Sequence, residues 1–227
     1  MPRWAIPGLR QNKNTAKAGP RPLAGVLRTD RCEKMEKRII GVTGGVGAGK
    51  SRVLRILKED FGAHVILADD VARALMEPGQ ECYRRVVAYL GDSIVREDGT
   101  IDRAAMAALI FGDERKRLQV NRLTHPAVWQ AVREEAERSS ASVVVIEAAI
   151  LGQEFRDNCQ EMWYVYTSRE KRLQRLAENR GYSAGKSRSI MDSQATEAEF
   201  EAFCDRKIDN NGTLEETRRQ IYSLLTE

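Results

Sequence analysis

The sequence predicts an α/β fold, a three-layer sandwich in which a mainly parallel sheet is covered by helices on both faces, with an inserted helical lobe and a lid. Three observations carry this. Short apolar runs of strand length alternate with segments of helical period, and the first run enters a glycine-rich loop that opens a helix. The alternation is interrupted once, between about 78 and 140, by a long stretch of mostly helical pattern that reads as an insertion.

The first strand is Arg38 to Thr43, a short apolar run suited to burial in a parallel sheet. After Ser51 the positions Val53, Leu54, Ile56 and Leu57 recur with helical period, and Gly62 supplies the stop. A second strand is expected at His64 to Leu67, followed by a helix over Val71 to Met76. The third, Ser142 to Ile146, is built on four consecutive β-branched residues and reads as buried on both faces. The fourth is Met162 to Tyr166, and the next helix runs from Ser168 to Asn179, with Thr167 and Glu170 at capping-box spacing. A last helix, about Leu214 to Leu225, is announced by Thr213 and Glu216 at the same spacing.

Composition bounds the chain to one domain with an insertion. Its 227 residues are 42% hydrophobic and 31% charged, ordinary for a globular protein, and no stretch has the run of apolar residues a membrane helix needs. Cys32, Cys82, Cys159 and Cys204 are scattered and the histidines are His64 and His125, so zinc spacing is absent and a reduced, cytoplasmic setting is expected. The net charge of +4 is uneven. Residues 1–34 carry eight Lys/Arg against two acids, so the body is slightly acidic and no nucleic-acid surface is expected on it. With four prolines and no apolar periodicity, that segment reads as a disordered basic tail or an over-extended start, and Met35 is a candidate start for a domain over 35–227.

Between the first strand and its helix lies Gly44-Gly45-Val46-Gly47-Ala48-Gly49-Lys50-Ser51, the GxxxxGK[ST] pattern of a P-loop NTPase. Glycines let the backbone bring its N–H groups against phosphate oxygens, and the helix start adds partial positive charge at the same place. Gly45, Gly47, Ala48 and Gly49 are thus expected to cradle ATP, with Lys50 on the β- and γ-phosphates and Ser51 offering its hydroxyl to Mg²⁺. At the end of the second strand Asp69 and Asp70 have two readings, a base for an attacking hydroxyl or a helix cap. Glu147, at the end of the valine run, reads as a carboxylate of the magnesium shell or a solvated strand end. Arg172 and Arg175 fit a solvated helix face, and Arg180 beside Gly181 fits a lid over about 175–195. His125-Pro126 falls between two helical stretches and reads as a turn.

These residues together resemble the dephospho-coenzyme A kinases over about Arg38 to Leu225. The loop with its Thr43-Gly44-Gly45 opening is similar to that family's, as are Ala68-Asp69-Asp70 with Arg73, Thr124-His125-Pro126, the Arg175 to Arg180 segment, Ser193-Gln194, and Ile208-Asp209-Asn210-Asn211. The resemblance implies ATP and dephospho-CoA as substrates and Mg²⁺ as cofactor. It further implies Asp69 as the base, with Arg73 and His125 on the acceptor side, Arg52 and Asn210 beside the nucleotide, and Arg175 or Arg180 over the transferring group. A monomer or small homo-oligomer is expected. The chain departs from the family's pattern where Leu67 replaces an Asp and where Asn179 stands in place of a basic residue.

Two other readings compete. A kinase of the same fold acting on a nucleotide or nucleoside would show no preference for dephospho-CoA. A P-loop ATPase using the basic tail as its contact would lose its function on removal of residues 1–34, where a biosynthetic kinase would not.

Overall fold

The computed structural model describes residues 37–226, so the expected tail over 1–34 and the candidate start at Met35 lie outside the described residues. The sheet has five parallel strands, β1 (Arg38–Thr43), β2 (His64–Leu67), β3 (Val143–Glu147), β4 (Glu161–Tyr166) and β5 (Arg206–Asp209), in the order β2-β3-β1-β4-β5. Strand order reverses on either side of β1, which opens a crevice at the carboxyl ends of β1 and its neighbours.

Helices α1 (Lys50–Phe61) and α10 (Leu214–Thr226) cover one face, where Val53, Leu57 and Ile221 pack on Val42, Val145 and Trp163. On the other face lie α2 (Ala68–Leu75), the carboxyl half of α5 (Glu114–Arg138) and α6 (Gln153–Asp157). There Val128, Val132 and Phe155 meet Val144, Ile146 and Met162. Each fully buried side chain of this size contributes about 1.5–3 kcal/mol, so the two apolar faces hold the central strands in register.

The lobe is formed by α3 (Glu81–Leu90), a 3-10 turn at Asp92–Ile94, α4 (Arg103–Ile110) and the amino half of α5. Its own small core contains Val86, Ile94, Ile101 and Val120. Asp102 and Asp113 cap α4 and α5 by accepting backbone N–H groups. Because α5 contributes Val120 to the lobe and Val132 to the main core, the two cores are joined by one continuous helix. His125-Pro126 is therefore no turn: Pro126 lies inside that helix.

Helices α7 (Arg169–Arg180), α8 (Ala184–Asp192) and α9 (Glu197–Phe203) follow β4. The expected Thr167–Glu170 capping box is replaced by a Ser168 cap, because the Thr167 hydroxyl is buried and donates to the Ala48 and Tyr166 carbonyls. The Thr213–Glu216 pair forms both reciprocal bonds. Strand β5 was not anticipated, and α2 begins at Ala68, three residues earlier than expected.

Candidate active site

The loop from Gly44 to Gly49 lies between the carboxyl end of β1 and α1. Gly49 has φ 88°, which favours glycine, and a Cβ there would also overlap the Asn210 side-chain amide. At Gly47, with φ 77°, a Cβ would stand 3.1 Å from the Arg172 carbonyl. The loop thus needs glycine for its shape and for the close approach of what surrounds it.

Lys50 opens α1 and donates to the Gly44 carbonyl at 2.8 Å, while its ammonium stands 3.4 Å from Glu147 Oε1. Ser51 is exposed in the same first turn. Glu147 ends β3 in register with Val42 on one side and Leu67 on the other, so adjacent strand ends aim these groups into one space. Burial raises the Glu147 pKa, the Lys50 ammonium opposes the shift, and Asp69 and Asp70 add to it. One hydroxyl and one carboxylate beside a phosphate cradle suit Mg²⁺, which takes few protein ligands and completes its octahedron with phosphate and water.

On the far side of the loop, Ala48 O is the acceptor for three side chains. Thr167 Oγ1 and Asn210 Nδ2 each donate to it at 2.8 Å, and Arg175 at 3.2 Å. Arg175 also donates to Thr167 Oγ1 and to the Asn210 carbonyl. The fully buried Asn210 accepts from Thr217 at 3.1 Å and from Arg52 at 3.3 Å. The guanidinium of Arg175 thus braces the loop from outside.

Arg172, read from the sequence as a solvated position, is instead partly buried against the loop. Its Nε donates to the Val46 carbonyl at 2.8 Å, and a Cβ added to Gly45 would run into its guanidinium. Gln194 Oε1 accepts from the Val46 N–H at 2.8 Å and from Arg172 at 3.2 Å. Burial lowers the Arg172 pKa, but a guanidinium keeps its charge. Arg180 sits exposed at the last position of α7, eight residues and roughly 12 Å of helix beyond Arg172. Gly181 then ends the helix in the left-handed conformation, as a cap.

On the acceptor side, the cap reading of the two aspartates fails. The N-cap position of α2 is Leu67, and Asp69 and Asp70 lie in the first turn, where the helix dipole favours carboxylates. Asp70 pairs with Arg73. Asp69 instead lines a cleft of about 490 Å³ between α2 and the lobe, together with Arg73, Met76, Arg96, Arg103 and Met106. His125 is not among the cleft's lining residues; its Nδ1 is 3.5 Å from Glu154 of α6. Arg96 and Arg103 of the lobe carry no signal in the sequence, because a lone basic residue means nothing until tertiary contacts place it.

A family model for dephospho-CoA kinase matches residues 38–216. A dephospho-CoA kinase of Geobacter sulfurreducens is 40% identical over 187 residues, covering 81% of this chain and 94% of the relative. One from Shouchella clausii is 36% identical over 195 residues, covering 83% and 97%. The crystal structure of TT1252 from Thermus thermophilus superposes with a TM-score of 0.72 at 27% identity, covering 84% of this chain and 97% of that one.

Proposed function

The chain belongs to the dephospho-CoA kinase family and phosphorylates dephospho-CoA to CoA, and we propose that it does so with ATP and Mg²⁺ at the crevice where β1, β2 and β3 end. In this reading the amides of Gly45, Gly47, Ala48 and Gly49 and the amino end of α1 bind the ATP phosphates, with Lys50 on the β- and γ-phosphates. Arg52 and Asn210 border the nucleotide. Ser51 and Glu147 would hold Mg²⁺, which neutralises phosphate charge when bound.

Asp69 accepts the proton of the acceptor's ribose 3′-hydroxyl. That oxygen attacks the γ-phosphorus, the bond from the γ-phosphorus to the β,γ-bridging oxygen breaks, and ADP leaves with the electron pair. Arg172, held by Val46 and Gln194, supplies positive charge beside the loop, while the Arg175 guanidinium is engaged by Ala48, Thr167 and Asn210 and Arg180 lies about two helical turns farther along α7. Arg73 borders the acceptor, and His125 supports α5 against α6 at the base of the lobe.

The observation that carries this reading is Asp69 on the cleft wall while Glu147 ends the neighbouring strand β3 and pairs with Lys50 at the start of α1. A monomer or a small homo-oligomer is the form proposed. Among the described residues no helix is long and apolar enough to cross a membrane, in keeping with a cytoplasmic enzyme. A coupled ADP-release assay tests the reading: ADP forms with dephospho-CoA and not with nucleoside monophosphates, whereas ADP formed with no acceptor at all argues for an ATPase.

A further inference from the structure

The cleft beside Asp69 has a second wall that the reaction described above leaves unused. Along α2, Asp69, Ala72, Arg73 and Met76 share one helical face, so the wall runs roughly 10 Å from the base toward the end of the helix. Facing it are Arg96, Thr100 and Ile101 from the bridged turn before α4, and Arg103 and Met106 from α4 itself.

The charges of that wall are not equally engaged. Arg73 is paired with Asp70, and Arg96 stands 3.7 Å from Asp102, whose carboxylate already caps α4. Among the described residues no carboxylate stands within ion-pair distance of Arg103, which is exposed. Glu77, at the far end of the cleft, is the one further acid on its lining besides Asp69. A free guanidinium and a weakly engaged one therefore face a pocket whose floor is Ile101, Ala72 and two methionines.

We propose that Arg103 and Arg96 form the site that reads the diphosphate of the acceptor, with Met76, Ile101 and Met106 taking the flexible arm beyond it. This rests on the function proposed above and deepens it. In dephospho-CoA the diphosphate leaves the 5′ position of the same ribose whose 3′-hydroxyl must meet Asp69. An anion-reading pair across the cleft from the base thus orients that hydroxyl. Guanidinium groups match phosphate oxygens with paired N–H donors. Methionine suits an extended, partly apolar arm because it adapts its shape. The same pair gives selectivity, because an acceptor with a ribose and no diphosphate leaves both arginines without their partner.

The test is steady-state kinetics of the full chain with dephospho-CoA varied at saturating ATP. Arg103→Ala raises the KM for dephospho-CoA by about tenfold to a hundredfold, the range for loss of a charge-assisted hydrogen bond. The KM for ATP and kcat stay within about twofold, as expected for lost acceptor binding. Arg103→Lys recovers part of the loss by restoring the charge without the planar fork. Added salt raises the wild-type KM more steeply than that of Arg103→Ala. An unchanged KM in Arg103→Ala, or a fall in kcat with KM unchanged, overturns this assignment alone. A wild-type enzyme that phosphorylates a different acceptor overturns the function reading with it.

Discussion

The Asn210 side-chain amide donates to the Ala48 carbonyl at 2.8 Å across 162 residues of chain, tying the end of β5 to the middle of the phosphate loop. Asn210 is fully buried, and its Oδ1 is shared by Thr217 and Arg52. Asn210→Ala therefore removes three side-chain hydrogen bonds at a fully buried position, those with Ala48, Thr217 and Arg52, and destabilises the fold by about 2–4 kcal/mol. Urea unfolding reads the loss, and the KM for ATP rises with it because the loop loses its outer brace. A variant as stable as the wild type removes Asn210 from this role.

Asp69 makes no cap bond and lies on the cleft wall, so loss of its charge removes only a favourable dipole contact from α2 and leaves the phosphate loop in place. Asp69→Asn keeps the size and loses the base. ATP affinity, measured by titration calorimetry, stays within about twofold. Turnover falls by about 10²–10⁴, the usual contribution of a general base. Wild-type turnover in this variant would end the assignment.

Arg172 and Arg180 share one helix and have opposite surroundings. Arg172 touches the Val46 carbonyl and Gln194, and Arg180 is exposed. Arg172→Ala lowers kcat by about 10–10³, as removal of preorganised charge beside a transferring group does. Arg180→Ala leaves kcat within about twofold. The opposite ranking, read from kcat at saturation with both substrates, assigns the lid arginine to Arg180.

How far the sequence discloses this architecture depends on how local each signal is. The β1–loop–α1 unit is legible because its glycines, Lys50 and Ser51 are contiguous and each has one physical use. Strand β3 is legible because Val143 to Ile146 is buried on both faces. Strand β5 is hidden because it is a sheet edge: Ile208 is its one buried residue among three charged ones. The run at His125-Pro126 misleads because Pro126 breaks the pattern without breaking α5. The tertiary packing of Val120 on the lobe and Val132 on the sheet outweighs one lost backbone bond. Thr167 misleads in the opposite way, offering a cap signal while its hydroxyl serves Ala48. Arg172 is illegible because the basic run of α7 looks like a solvated face until the loop is laid against it.

Asp205 links α6 to the start of β5. It accepts from both arms of the Arg156 guanidinium and from the Met162 backbone N–H at 2.7 Å. The Arg156 bonds, helped by Met162, hold the Asp205 carboxyl below the usual aspartate range. Its native pKa is thus depressed relative to the unfolded chain, whose value is about 3.9. The folded state binds fewer protons through that window, so the stabilisation is complete above the unfolded pKa and is lost as pH falls through the folded one. Both side chains are about one-third exposed, so solvent screening limits the gain. Asp205→Asn is then less stable than wild type by about 1 kcal/mol at pH 7. The difference persists down to roughly pH 5 and closes on further acidification. Urea midpoints from pH 7 to pH 3 decide it: a gap of the same size at pH 3 assigns the loss to packing and not to the ionised carboxylate.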